Sequence, residues 1–175
     1  DLEKCTNLLA EMKPDHFNCR IQKDNALIFA CRSGHVSIVS MLLTRGADVL
    51  TKYKPYDATG IHYALKYGYP RIIELLLREP APIRKDVVNS TDYRGRNSLH
   101  FAVANEKIGL EIIQSLVNAG ANVDCLDHNK CTPLHIAVAN KREEIVNYLM
   151  NEKGADVSLK NSDGLTPFTM AKQEG

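Results

Sequence analysis

Adjacent apolar pairs recur four residues apart along this chain: Ile38-Val39 with Leu42-Leu43, Ile72-Ile73 with Leu76-Leu77, Ile112-Ile113 with Leu116-Val117, and Ile145-Val146 with Leu149-Met150. That spacing places each quartet on one face of an α-helix and predicts four helices, each with one buried side. A shorter apolar run precedes every quartet, and a fifth such run closes the chain. The five runs open with Asn25, Thr59, Asn97, Thr132 and Thr166. Such side chains accept a hydrogen bond from an orphan amide of the first helical turn, worth about 1 kcal/mol against alanine. Pro133 and Pro167 follow two of them, at a position where the missing N–H costs nothing. Five short helices are therefore predicted to start at matching places. Gly34 and Gly68 are placed to end the first two in the left-handed conformation. Gly46-Ala47-Asp48, Gly120-Ala121-Asn122 and Gly154-Ala155-Asp156 stop the second helices. They lead into polar turns such as Asn161-Ser162-Asp163-Gly164, expected to project as hairpins.

The first-helix runs end at Ala30, Ala64, Ala102, Ala137 and Ala171, at intervals of 34, 38, 35 and 34 residues. A period this regular predicts a stacked array, stabilised by burial between neighbours instead of one globular core. Thr132-Pro133-Leu134-His135-Ile136-Ala137, the glycine between paired helices and the Gly-Ala-Asp segments resemble the ankyrin repeat. The likeness is closest over Asp127–Val157 and loosest over Tyr56–Leu77. It implies an all-α solenoid of stacked antiparallel helix pairs with projecting β-hairpin loops, and a concave face made of hairpins and first helices. On this reading residues 1–175 form one domain. Repeats span about 17–50, 51–86, 87–122 and 123–156, between partial repeats at 1–16 and 157–175. Leu2, Cys5, Leu8, Leu9 and Met12 read as a second helix without its first, so the array is expected to stand as a monomer within a larger protein.

Composition narrows the function classes. No apolar run approaches the roughly 20 residues of a membrane span. Five cysteines (5, 19, 31, 125 and 131) lack a CxxC pair, which suggests neither a disulfide framework nor a zinc knuckle and fits a reducing cytoplasm or nucleus. Cys31 is expected to be packed and Cys131 to lie beside a hairpin tip. His62, His100 and His135 hold one motif position in three successive repeats. Helices stack about 8–10 Å apart, so these rings cannot converge on one ion at roughly 2 Å. The resemblance implies instead that each braces neighbouring hairpin backbone, a role Ile28 and Thr169 do not reproduce. Phosphate loops, HExxH and GxSxG do not occur, and Glu111, Glu143 and Glu144 fall on outward helix positions. No cofactor, metal or catalytic residue is expected, and the chain reads as a non-enzyme.

The departures from structural need point to binding. Six of seven tyrosines (53, 56, 63, 67, 69 and 93) lie between residues 53 and 93, and tyrosine is enriched at interface hot spots. Tyr63 is expected to pack between helices; the competing reading for the others is that they cover repeat-two surface. Residues 52–96 hold nine Lys or Arg against five Asp or Glu, net +4, whereas 97–175 are net −3 in a chain of net +1. Lys66 beside Tyr67, and Arg94 and Arg96 around Gly95, join cations to rings in a way that suits carboxylates near apolar anchors. The expected partner-binding residues are Tyr53, Tyr56, Lys66, Tyr67, Tyr93, Arg94 and Arg96, with His128 and Asn129 on the next hairpin. The expected partner is a protein or peptide with acidic and apolar residues, bound on the concave face around repeats two and three. The alternatives are a nucleic-acid or transcription-complex contact through the same basic patch, disfavoured by the small net charge, and a targeting or structural arm of a multidomain protein. Pro80-Ala81-Pro82-Ile83-Arg84-Lys85-Asp86 is expected as a stiff loop that proline keeps from being helical. Two extra residues near Glu106–Leu110 should lengthen the connection in repeat three.

Overall fold

The computed structural model describes residues 26–174. Helices come in pairs: α1 (Ala26–Ser33) with α2 (Val36–Thr44), α3 (Gly60–Tyr67) with α4 (Pro70–Leu76), α6 (Ser98–Ala104) with α7 (Leu110–Asn118), and α8 (Pro133–Ala139) with α9 (Glu143–Asn147). A π-helical stretch, Tyr148–Glu152, continues α9, and α10 (Pro167–Glu174) is a further first helix. An additional helix, α5 (Ala81–Asn89), stands between the second and third of the four pairs. The first helices touch in the order α1, α3, α6, α8, α10, while α2 lies against α4 and α7 against α9. Among the described residues no β-strand forms, and no helix is long and apolar enough to cross a membrane.

Every residue of the four apolar quartets is buried or half-buried, so the pairwise pattern does locate the inward faces. Leu27, Leu65, Leu99 and Leu134 of the first helices join them in one continuous core along the array. Thr59, Asn97 and Thr132 are the N-caps of α3, α6 and α8, and the Asn97 and Thr132 side chains accept from the His100 and His135 amides at 3.3 Å each, as expected. The expected cap of α1, Asn25, and the apolar residues of the first sixteen lie outside the described residues, as do Cys5 and Cys19. Gly34 and Gly68 end α1 and α3 with φ of 77° and 74°.

The Pro80–Asp86 expectation requires correction: Ala81–Asn89 is helical. Pro80 is its N-cap and Pro82 sits in its first turn, where no amide would find an intrahelical partner anyway, so both prolines start this helix and neither breaks it. Val87 and Val88 are buried, and α5 packs against α6. Asn89 then donates to the Gly120 carbonyl at 2.8 Å and accepts from the Asn122 amide at 2.7 Å, tying α5 to the end of α7.

The lengthened connection does occur, as Asn105–Gly109 between α6 and α7. Arg142, from the next repeat, reaches into it. One guanidinium nitrogen donates to the Ala102 and Asn105 carbonyls at 3.1 Å each, and another donates to Ile108. The extra residues thus present carbonyls that a planar fork of donors satisfies. Asn105 makes similar contacts to the preceding repeat, donating to the Leu65 and Lys66 carbonyls at 2.7 and 3.0 Å.

Candidate functional site

The hairpins that follow the second helices are built to one plan. Asp92 Oδ1 accepts from the Arg94 and Arg96 amides at 2.9 Å each. Asp127 Oδ1 accepts from Asn129 and Cys131 at 2.9 and 2.8 Å, and Asn161 Oδ1 from Asp163 and Leu165 at 3.0 Å each. One carboxylate or amide oxygen bracketing two amides closes each turn. Successive tips then bond to one another: Tyr93 to Tyr56 at 2.9 Å, His128 to Arg94 at 2.8 Å and Ser162 to Asn129 at 2.8 Å, amide to carbonyl in each case.

The three motif histidines hold this row to the helices. The Thr59, Asn97 and Thr132 amides donate to Nδ1 of His62, His100 and His135 at 3.0, 3.2 and 3.1 Å. An amide can only donate, so Nδ1 accepts and the proton sits on Nε2. From there the rings donate to the Ser90, Cys131 and Leu165 carbonyls at 3.0, 3.1 and 3.1 Å. Each ring is therefore a brace between a helix start and the next hairpin. Burial pushes His62 down to about 4 and lowers His100 as well, which keeps both rings in the neutral form this geometry needs. Thr169 keeps half of the device, since its hydroxyl accepts from the Thr166 amide at 2.7 Å.

Between tips and first helices runs a groove of about 550 Å³. Tyr56, Tyr93 and Arg94 come from the tips; Arg32, Tyr63, Lys66, Tyr67, Phe101 and Ala104 come from α1, α3 and α6. The Tyr56 and Tyr93 rings lie tilted at 59° with centroids 5.7 Å apart, and both are exposed. Arg94 lies over the Tyr93 ring, its Nε donating to the Tyr93 hydroxyl at 2.7 Å. Lys66 Nζ stands 5.6 Å from the centre of Tyr67. Asp92, the one carboxylate of the lining, is engaged: Arg96 donates to its Oδ2 through Nε and Nη2 at 3.1 and 2.7 Å. Burial would raise the Asp92 carboxyl, but the Arg96 fork and the two amides together hold it below the usual carboxylate range.

The structure brings Tyr56, Lys66, Tyr67, Tyr93, Arg94 and Arg96 to this one groove. Arg96 is partly withdrawn into structure, because it pairs with Asp92 and stacks 4.5 Å over Phe101. Tyr53 is half-buried against Ile28, Ala58 and Tyr63, below the tip and outside the lining. Tyr63 packs inward as expected while its edge still lines the groove. His128 and Asn129 are exposed on the following hairpin and do not line it; the His128 ring lies against Gly95. Sequence reasoning misses Arg32 and Phe101. Arg32 follows Ala30 by two residues, as Lys66 follows Ala64, so register alone would have found it. Cys31 is fully buried, and burial pushes its thiol up to about 12, whereas Cys131 is half-buried beside its hairpin.

A family model described as ankyrin repeats in three copies matches residues 1–89 and 61–161. Over 115 residues the chain is 31% identical to the transient receptor potential cation channel subfamily A member 1 of Homo sapiens, an alignment covering 66% of this chain and 10% of that protein. It is 24% identical to palmitoyltransferase AKR1 of Lachancea kluyveri over 200 residues, covering 94% and 26%. To ankyrin repeat and SOCS box protein 6 of Homo sapiens it is 30% identical over 150 residues, covering 83% and 34%. The chain thus spans from a tenth to about a third of the length of these relatives. The paired helices, the capped and braced first turns and the family match over most of its length agree: this chain belongs to the ankyrin-repeat family.

Proposed function

We propose that this chain is a non-enzymatic recognition module that holds a segment of another protein in the groove between its hairpin tips and first helices. Ankyrin repeats are general protein–protein interaction modules, so the class of function follows from the family. The observation that carries the finer reading is the lining. Four tyrosines and a phenylalanine surround Arg32, Lys66 and Arg94, while the one carboxylate present is already paired with Arg96. Such a surface attracts acidic side chains and offers ring faces to apolar ones. The hydrogen-bonded tips and braced first turns fix it in advance, so little ordering entropy opposes docking.

The test compares the wild-type chain with a Tyr67→Ala, Arg94→Ala double variant as baits in lysate of the cells that make the protein. Both side chains are exposed, so the thermal midpoint should stay nearly unchanged. At least one protein retained by the wild type should be lost from the variant bait. Full retention of every partner by a folded variant would place recognition on another face.

A further inference from the structure

We infer that the groove reads its ligand with polarity, taking an acidic stretch over α1 and α3 and a bulky apolar side chain over α6. The inference rests on the groove being the binding face and adds which end of the ligand lies where. The helices α1, α3, α6 and α8 each present to solvent the residue two places after the motif alanine. These residues are Arg32, Lys66, Ala104 and Ala139, and all four are exposed. The helices stack in that order, so one row of equivalent positions changes along the array from long cations to bare methyl groups.

The change falls inside the groove, because Arg32, Lys66 and Ala104 all line it. From the hairpin wall Arg94 adds a third positive charge to the lining. None of the three has an ion-pair partner among the described residues. At the other end the equivalent floor residue is Ala104, beside Phe101 and Asn105. A long side chain at residue 104 would fill the space that an apolar ligand residue needs beside Phe101, whose ring Arg96 covers on one face. The occupant that matches is an extended protein segment with two or more Asp or Glu residues on one side of a large aliphatic or aromatic residue. A nucleic-acid strand matches less well, since its charge repeats along its whole length and the run of floor cations stops after two repeats.

The experiment pans a random peptide display library on the chain and measures selected peptides by fluorescence anisotropy. The proteins compared are wild type, Arg32→Ala, Lys66→Ala, Ala104→Arg and the Tyr67→Ala, Arg94→Ala pair. Selected peptides should share acidic residues to one side of a bulky apolar residue. Arg32→Ala and Lys66→Ala should each weaken binding about three- to ten-fold, with the loss shrinking at high salt. Ala104→Arg should weaken the same peptides by at least as much, yet leave nearly unchanged the affinity of versions whose apolar residue is alanine. Peptides that need Tyr67 and Arg94 but lack acidic enrichment, or ignore Lys66→Ala and Ala104→Arg, would overturn the polarity and leave the groove standing. Peptides indifferent to the Tyr67, Arg94 pair, an empty library, or preferential capture of a single-stranded oligonucleotide would overturn the groove reading itself.

Discussion

Gly60 stands where the fourth and fifth copies carry Pro133 and Pro167, and Cys31 stands where the next three carry Leu65, Val103 and Val138. The structure couples the two departures. A Cβ built on Gly60 would lie 2.9 Å from Cys31 Sγ and 3.6 Å from its Cβ, with Leu76 Cδ1 at 3.9 Å. Both residues are buried, so neither neighbour has solvent to move into. In an open helix, Gly→Ala would stabilise by about 0.5–1 kcal/mol. Here the added methyl overpacks the contact between α1 and α3, at a cost of about 1–3 kcal/mol. Gly60→Ala is therefore expected to destabilise by about 1–2 kcal/mol. Cys31→Ala alone leaves a small void and should cost about 1 kcal/mol. In the double variant the new methyl faces the space the sulfur has left. Its loss should fall short of the sum of the single losses by about 1–2 kcal/mol. Urea unfolding of the four proteins, with m unchanged, reads this coupling directly. Additivity within about 0.5 kcal/mol would show that the sulfur does not dictate glycine at residue 60.

Acid should loosen the hairpin braces before it touches the carboxylates. His62 has its folded value lowered to about 4 from 6.5, so the unfolded chain binds the extra proton first, and stability should fall as pH drops from about 6.5 to 4. The His62 contribution is on the order of 3 kcal/mol, His100 adds in the same direction, and a flat stability profile across that window in urea titrations would refute the brace assignment. Arg142→Ala should cost about 2–3 kcal/mol by orphaning the Ala102, Asn105 and Ile108 carbonyls. Amide exchange should accelerate first across residues 105–109, and unchanged protection there would remove Arg142 from this role.

What is legible in the sequence is what repeats. The apolar quartets, caps and turn glycines recur at fixed offsets, so their helices and inward faces can be read residue by residue. Helix α5 escapes such a reading because Pro80 and Pro82 look like breakers. Their meaning depends on position, and the sign that they start a helix lies downstream in the apolar pair Val87-Val88, which finds its cover on α6. The Arg142 contacts span 34 to 40 residues and leave no local trace. Most of the groove is visible as a cluster of tyrosine and positive charge. Tyr53 looks equivalent to Tyr56 by composition, but its backbone pairs with Ala58 and turns the ring toward the Ile28 and Tyr63 cluster.

Arg94 and Arg96 show why side chains of one type, two residues apart on one tip, differ in what they offer a partner. Asp92 brackets both amides, so the turn itself fixes where each side chain leaves the backbone. Arg96 is directed back onto the Asp92 carboxylate and the Phe101 ring, and keeps about a third of its side chain exposed. A ligand carboxylate that recruited Arg96 would have to displace a partner buried beside it, leaving a buried charge unmatched. The Arg94 side chain bonds to the hydroxyl of its neighbour Tyr93 and lies over that ring, a contact that a ligand can share without breaking it. On the proposed reading, recognition rests on residues the repeat does not already employ. The motif threonines, histidines and turn aspartates are consumed in bracing; the tip residue after Tyr93 and the floor residues two beyond each motif alanine are not.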